Sequence, residues 1–297
     1  MTAIDWAGLA EAVRGFGATA TETADGLSLI AEGGHAGTIR ALPPPPGDEL
    51  VPVAVLRAET FVAAGKLAGL PPPARMVHGL NRLAGAAAAR AQDGGLAFHA
   101  RVTLFAGDEK FWPLHAQLLA YAATWGPATA LGGMHRVLGK RPPHASGASA
   151  WTPEDFEQAR AALPKHRRAM LDKPSPHVLA ATVPLPGKRN PARVEVRADM
   201  QHPEHGPGLM ALLTLPVRFP TESALGEALD GLNRVEAGPI AAAPHYGAWC
   251  AGPDGTVAYT CFLPNGVKLP VAHLLLAWLS TRAPLAADAL TGPVALS

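Results

Sequence analysis

The sequence predicts an α+β protein of two tandem units, each ordered α-β-β-β-α-β-β-α, with an antiparallel sheet packed by helices. The first observation is a repeated tetrapeptide. "GLNR" stands at 79–82 and again at 231–234, although the chain has only four asparagines, Asn81, Asn190, Asn233 and Asn265. The second is the stripe around it: Met76, Val77, Leu80 and Leu83 align with Ala228, Leu229, Leu232 and Val235, an i, i+1, i+4, i+7 pattern that buries one helix face. The third lies further on, where Phe105 aligns with Phe262, Pro113 with Pro270, and "LLAY" at 118–121 with "LLAW" at 275–278, all at an offset of 157. A duplicated unit of about 130–150 residues accounts for all three.

The elements follow in order. Trp6, Leu9, Ala10 and Val13 have helical spacing and predict a helix over 4–15. Strand-like runs follow at 26–31, 37–42 and 49–64, then a helix over 73–84, two strands within 95–106, and a helix over 111–125 with Pro113 in its first turn. The Pro/Gly/Ser/Ala-rich stretch "GKRPPHASGASAW" at 139–151 reads as a linker. It separates a first domain, 1–138, from a second, 152–297.

The second unit opens on a well-signalled helix. Thr152 is the N-cap, Pro153 the first helical residue, and Glu154 and Asp155 meet the positive dipole end. Pro164 kinks or splits that helix near Lys165, Arg167 and Arg168. Strands are expected at 177–185, 192–199 and 208–219, a helix at 221–236, a hairpin at 246–263, and a helix at 269–282.

Composition bounds the function. Apolar residues make up 48%, so the chain can bury a core, while charged residues are only 16%, below the ~25% of typical domains. A surface so poor in charge predicts an oligomer. Net charge is +1, which argues against nucleic-acid binding over the whole surface, yet residues 136–197 hold 12 Lys/Arg against 5 Asp/Glu. The amino terminus lacks the basic and long apolar regions of a signal peptide. No stretch approaches the ~18 apolar residues of a membrane span. A soluble, cytoplasmic protein is expected.

The two cysteines flank "GPDG" at 252–255. With Pro253 and Asp254 as a two-residue loop, Cys250 and Cys261 fall on one sheet face, roughly 13 Å apart at ~3.3 Å per residue. That is too far for a disulfide.

In the repeated motif, Gly79 and Gly231 are read as letting the helix approach the sheet. Leu80 and Leu232 are core residues, and Arg82 and Arg234 complete the motif. Asn81 and Asn233 are expected to satisfy a backbone group at the helix end or the adjoining strand.

Three stretches imitate chemistry. "GFGATA" at 15–20 has dinucleotide-fingerprint spacing but follows a helix. "GMHRVLGKR" at 133–141 misses the P-loop spacing and its Ser/Thr. "QHPEHG" at 201–206 offers His202, Glu204 and His205 without metal-site spacing. None predicts a catalytic residue, cofactor or metal. His78, His99, His115 and His273 read as half-buried, hydrogen-bonded histidines.

"PVRFPTESALGEALDGLNR" resembles a third strand entering the middle helix of the YbjN family, and "GAWCAGPDGTVAYTCFLPNG" resembles its hairpin. That family shares the type III secretion chaperone fold. The likeness covers about 175–285, and the first unit enters it through the repeat.

The resemblance implies a non-enzymatic, protein-binding domain that forms a homodimer and holds an extended client segment by hydrophobic patches and strand edges. Candidate partner-contact residues are Lys165, Arg167, Arg168, Lys188, Arg189, Trp249 and Phe262. The alternative is a nucleic-acid-associated factor acting through the basic 165–193 segment.

Overall fold

Asp5 starts the first helix: its carboxylate accepts from the Gly8 N–H at 2.9 Å, and α1 runs Trp6–Gly15 with Leu9, Ala10 and Val13 buried. The computed structural model describes residues 4–43, 52–83, 85–142, 147–237 and 243–290. After α1 come β1 (Ala18–Thr23), β2 (Gly26–Ala31), β3 (Gly37–Leu42) and β4 (Pro52–Val62). They are followed by α2 (Pro73–Arg82), β5 (Ala88–Gln92), β6 (Gly95–Phe105), α3 (Trp112–Thr124) and α4 (Gly126–Val137). The second repeat supplies α5 (Pro153–Ala162), α6 (Lys165–Arg168), β7 (Val178–Val183), β8 (Ala192–Arg197), β9 (Gln201–His202) and β10 (Gly206–Arg218). It ends with α7 (Glu222–Ala237), β11 (Ala248–Ala251), β12 (Thr256–Pro264) and α8 (Ala272–Ala289).

The class is α+β, with two antiparallel sheets packed by helices. The first sheet has the order β1-β2-β3-β4-β6-β5 and the second β11-β12-β10-β8-β7, with β9 pairing to β10. Setting aside β1 and the two-residue β9, both repeats place their five strands in one order. The topology carries the duplication that the tetrapeptides announce.

Several elements differ from expectation. β1 was not anticipated, because "ATATET" has no apolar side chain larger than alanine to mark its period. Its β-branched threonines nonetheless suit a strand, and it pairs with β2 from Ala18↔Ala31 to Thr23↔Gly26. The region 95–106 forms one strand, not two. Its hairpin partner is β5, and the turn is Asp93-Gly94, with φ of 47° and 74°. Asp-Gly with both residues left-handed is the two-residue turn whose twist matches a hairpin. α4 was also missed, since "GPATALGGMHRV" carries three glycines and a proline, all poor helix formers.

Helix signals elsewhere are realised in detail. Thr152 and Asp155 form a reciprocal capping box, with Thr152 N–H to Asp155 Oδ2 at 2.8 Å and Asp155 N–H to Thr152 Oγ1 at 3.4 Å. α5 stops before Pro164 and the short α6 follows it. Of the expected linker, residues 143–146 lie outside the described residues, as do 49–51 of the third expected strand and Ala84 at the end of the expected second helix.

The chain forms two compact units, Met1–Gly132 with Arg234–Ala248, and Gly133–Asn233 with Trp249–Ser297. In the first, α3 covers one side of β2, β3, β4 and β6 and packs on α1. Leu27, Leu29, Ile39, Leu56, Phe98 and Leu104 are buried there. Segment 243–248 joins this unit through a backbone bridge: Arg101 N–H donates to His245 O at 3.1 Å, and His245 N–H to Arg101 O at 2.7 Å. In the second unit α8 covers one side of β7, β8 and β10, and α5 packs on α8.

Candidate docking face on the first sheet

The repeated asparagines stitch helix to strand in both units. Asn81 Nδ2 donates to Ala89 O at 3.2 Å and its Oδ1 accepts from Ala89 N–H at 2.7 Å. Asn233 does the same to Trp249, at 2.9 Å each way. Leu80 and Leu232 are buried beside them, while Arg82 and Arg234 are exposed. The glycine reading needs correction at Gly231, where an added Cβ would meet nothing within 4 Å. No close helix approach depends on that residue. Val235, expected on the apolar stripe, is 59% exposed.

The hairpin is also corrected. Its turn holds three residues, Pro253–Gly255, with Asp254 at φ 55° and Gly252 N–H bonded to Thr256 O at 2.7 Å. The extra residue shifts the pairing by one, which exchanges the faces. Cys250 Sγ lies 3.8 Å from Thr260 Oγ1, whereas the Trp249 ring meets the Tyr259 ring edge-on at 5.2 Å. Cys250 and Cys261 are therefore on opposite faces, both buried and outside any disulfide. Trp249 and Phe262, expected to meet a partner, are 0% and 1% exposed. Neither is available at a surface.

Lys165, Arg168, Lys188 and Arg189 are exposed, on α6 and on the connection between β7 and β8. Arg167 is half-buried and donates to Thr281 Oγ1 at 3.0 Å. Two of the chemical imitations neutralise one another: Glu204 takes Arg136 at 2.7 Å and Arg141 at 3.4 Å. His202 stacks on Phe262 at 4.6 Å. Among the described residues no three His, Cys, Asp or Glu side chains converge as metal ligands. No helix there is long and apolar enough to cross a membrane.

The feature that sequence reading missed is the side of the first sheet opposite α3. Strand register arranges it in three rows. In the first, Arg40, Arg57 and Arg101 stand directly opposite one another on β3, β4 and β6. In the second, Ser28, Thr38, Glu59 and His99 cross β2, β3, β4 and β6. Two residues further along β2 and β4 stand Ile30 and Phe61, with Ala97 and Arg90 continuing from Phe61. Ile30 is 62% and Phe61 48% exposed.

Like charges directly opposite in a sheet are unfavourable, so the arginine row carries an electrostatic cost. One carboxylate oxygen, Glu59 Oε1, serves both Arg57 at 2.9 Å and Arg90 at 3.1 Å. Asp25 lies 3.9 Å from Arg40.

Beneath this surface His99 is buried, with neither ring nitrogen hydrogen-bonded among the described residues. Its pKa is held well below the ordinary value, first by burial, then by neighbouring His245 and the guanidiniums of Arg57, Arg90 and Arg101. The His245 ring lies 5.5 Å away, tilted by 32°, and places Nδ1 3.7 Å from Glu236 Oε2.

The matching side of the second sheet is already neutralised. Arg193 pairs with Asp172 and with Glu195 at 3.2 Å, and Arg197 with Glu195 at 3.3 Å and Asp199 at 2.8 Å. Five alternating charges close on themselves there. No protein-family model, curated protein or solved structure matches the chain.

Proposed function

We propose that the chain is a non-enzymatic protein-binding module, a chaperone-like adaptor or regulator built from two YbjN-like units. The observation that supports it is the side of the first sheet opposite α3, where Ile30 and Phe61 are exposed beside basic side chains. A sheet normally buries both faces or makes one of them polar. Here one side has an α3 cover and the other keeps large apolar groups in solvent. β1, an end strand of the same sheet, adds an edge to which an extended chain can hydrogen-bond.

The reading includes a cytoplasmic homodimer. Sedimentation at micromolar concentration tests that part separately, and a species of one chain mass, stable to dilution, removes the dimer while leaving the client site in place.

The test of the client site is hydrogen exchange on the full chain with a captured client bound. Protection is expected across 26–42 and 52–62. A client that protects only other segments, with Phe61→Ser binding as tightly as the parent, excludes this face.

A further inference from the structure

We infer that the second unit carries a contact surface for the phosphate backbone of duplex nucleic acid. Lys165 and Arg168 on α6 make it, together with Lys188 and Arg189 on the connection between β7 and β8. These elements are not those of the client face, so the inference goes beyond that reading and does not rest on it.

Between 164 and 191 six Lys/Arg stand against one acid, Asp172. Asp172 is already taken by Arg193 of β8. Among the described residues none of the six cations pairs with a carboxylate. Lys165, Arg168, Lys173, Lys188 and Arg189 are exposed. Half-buried Arg167 fastens α6 to α8 through the Thr281 hydroxyl at 3.0 Å.

Backbone pairing brings the two basic stretches together. Leu171 bridges antiparallel to Ala181, and its N–H donates to Arg168 O at 3.2 Å. An antiparallel bridge runs the chain before Leu171 toward the Val183 end of β7, where the connection to β8 starts. α6 therefore ends beside that connection. Buried Leu185 anchors a turn there: Lys188 N–H donates to Leu185 O at 3.1 Å, with Gly187 at φ 66°. Pro186 followed by a left-handed glycine fits a type II turn. The turn holds Lys188 and Arg189 out in solvent.

Composition selects the occupant. The stretch 164–191 has no Phe, Tyr or Trp, and none of the large exposed apolar residues falls in it. Protein interfaces are built round an apolar core and are poor in Lys. Lasting membrane attachment requires an apolar or lipid anchor beside a basic patch. Single-stranded nucleic acid is held on aromatic stacking platforms. Each of these lacks its second component here. Phosphate contact to a duplex works by counterion release and needs only unpaired cations.

Fluorescence anisotropy with the full chain tests the inference, using labelled mixed-sequence duplexes, one of DNA and one of RNA. Four phosphate contacts predict a log–log salt slope of about −3.6. Affinity should then fall about 100-fold between 0.05 M and 0.2 M salt. Either duplex binding with this slope supports the inference, and the tighter of the two names the source of the phosphates.

Lys188→Gln with Arg189→Gln, and separately Lys165→Gln with Arg168→Gln, should each bring the slope to about −1.8 and weaken binding about tenfold near 0.05 M salt. Lys188→Arg keeps the charge and should retain the parent slope. Arg40→Gln, on the first sheet, should leave the slope unchanged.

A parent-like slope in both double variants overturns the inference by placing the binding elsewhere. Polyglutamate that displaces the labelled duplex as well as unlabelled duplex does, at equal charge, overturns it in favour of an acidic protein. Cosedimentation with vesicles of phosphatidylcholine and phosphatidylserine in equal parts, lost in the double variants while neither duplex binds, overturns it in favour of a membrane surface. Absence of binding to either duplex below about 0.1 mM, near 0.05 M salt, overturns it outright. Each of these failures leaves the client reading as it stands.

Discussion

Replacing Asn233 with leucine tests whether the repeated motif is scaffold. The amide makes two bonds of 2.9 Å, one to the N–H and one to the C=O of Trp249, a residue that is 0% exposed. Leucine nearly conserves the volume but offers neither donor nor acceptor. Each orphaned backbone group costs about 1–3 kcal/mol when buried. Allowing for local relaxation and a hydrophobic gain from the new side chain, the expected loss is about 2–4 kcal/mol.

Urea unfolding followed by circular dichroism reads it. With a slope near 2 kcal/mol/M, a loss of about 3 kcal/mol moves the midpoint down by about 1.5 M. Asn233→Asp sharpens the argument. Its carboxylate still accepts from the Trp249 N–H but faces the carbonyl oxygen, so burial and repulsion raise its folded pKa. Its penalty is present above that pKa and is relieved as pH falls through it. A midpoint shift for Asn233→Leu worth less than about 0.5 kcal/mol, at unchanged slope, refutes the stitching role. Asn81→Leu, which breaks the bonds to Ala89, should cost a similar amount.

Other outcomes follow from single features. Gly231→Ala should stabilise by about 0.5–1 kcal/mol, since helical glycine is unfavourable and the new Cβ meets nothing within 4 Å; a loss on thermal melting contradicts this. Gly26→Ala should destabilise by about 1–3 kcal/mol, because its Cβ would lie 1.9 Å from Ile39 O; a parent-like melting temperature refutes the fit. Thr152→Ala should cost about 1 kcal/mol by breaking the capping box, read as a lower urea midpoint. His115 bonds the Tyr246 hydroxyl at 2.9 Å, and burial pushes its pKa down to about 4. Its folded pKa is below the unfolded value, so the unfolded chain binds more protons, and stability present above pH 6.5 is lost towards pH 4. Between pH 7.5 and 5 the loss from this group is about 2 kcal/mol at 1.36 per pKa unit. His115→Gln should flatten that slope, and an unchanged slope excludes the residue as its source.

Local chemistry made much of the fold legible. Helix periodicity, the Thr152 cap, Pro113 in a first turn and the break at Pro164 are written within a few residues of where they act. The duplication was legible because two copies of one core must repeat the same apolar stripe. The β5–β6 hairpin carries a local signal in Asp93-Gly94, but the long apolar run after it drew both expected strands into 95–106 and hid the turn. By contrast, β1 has no apolar pattern to read, and α4 forms against its local propensity.

Tertiary structure alone decided the rest, because strand register is a non-local quantity. One additional turn residue put Cys250 on the face of Thr260 and Cys261 on the opposite one, where the sequence placed both cysteines on one face. Burial closed off Trp249 and Phe262, whose sequence neighbourhoods look like any amphipathic hairpin. Asn81 and Asn233 announced a local use, yet only the strand that each meets makes them backbone stitches. The arginine row had no sequence signature at all. Arg40, Arg57 and Arg101 sit in three different strands, each a lone cation in an ordinary apolar run, and only antiparallel pairing sets them side by side. A charge cluster built across strands has no period along the chain, so it exists only once the sheet has formed.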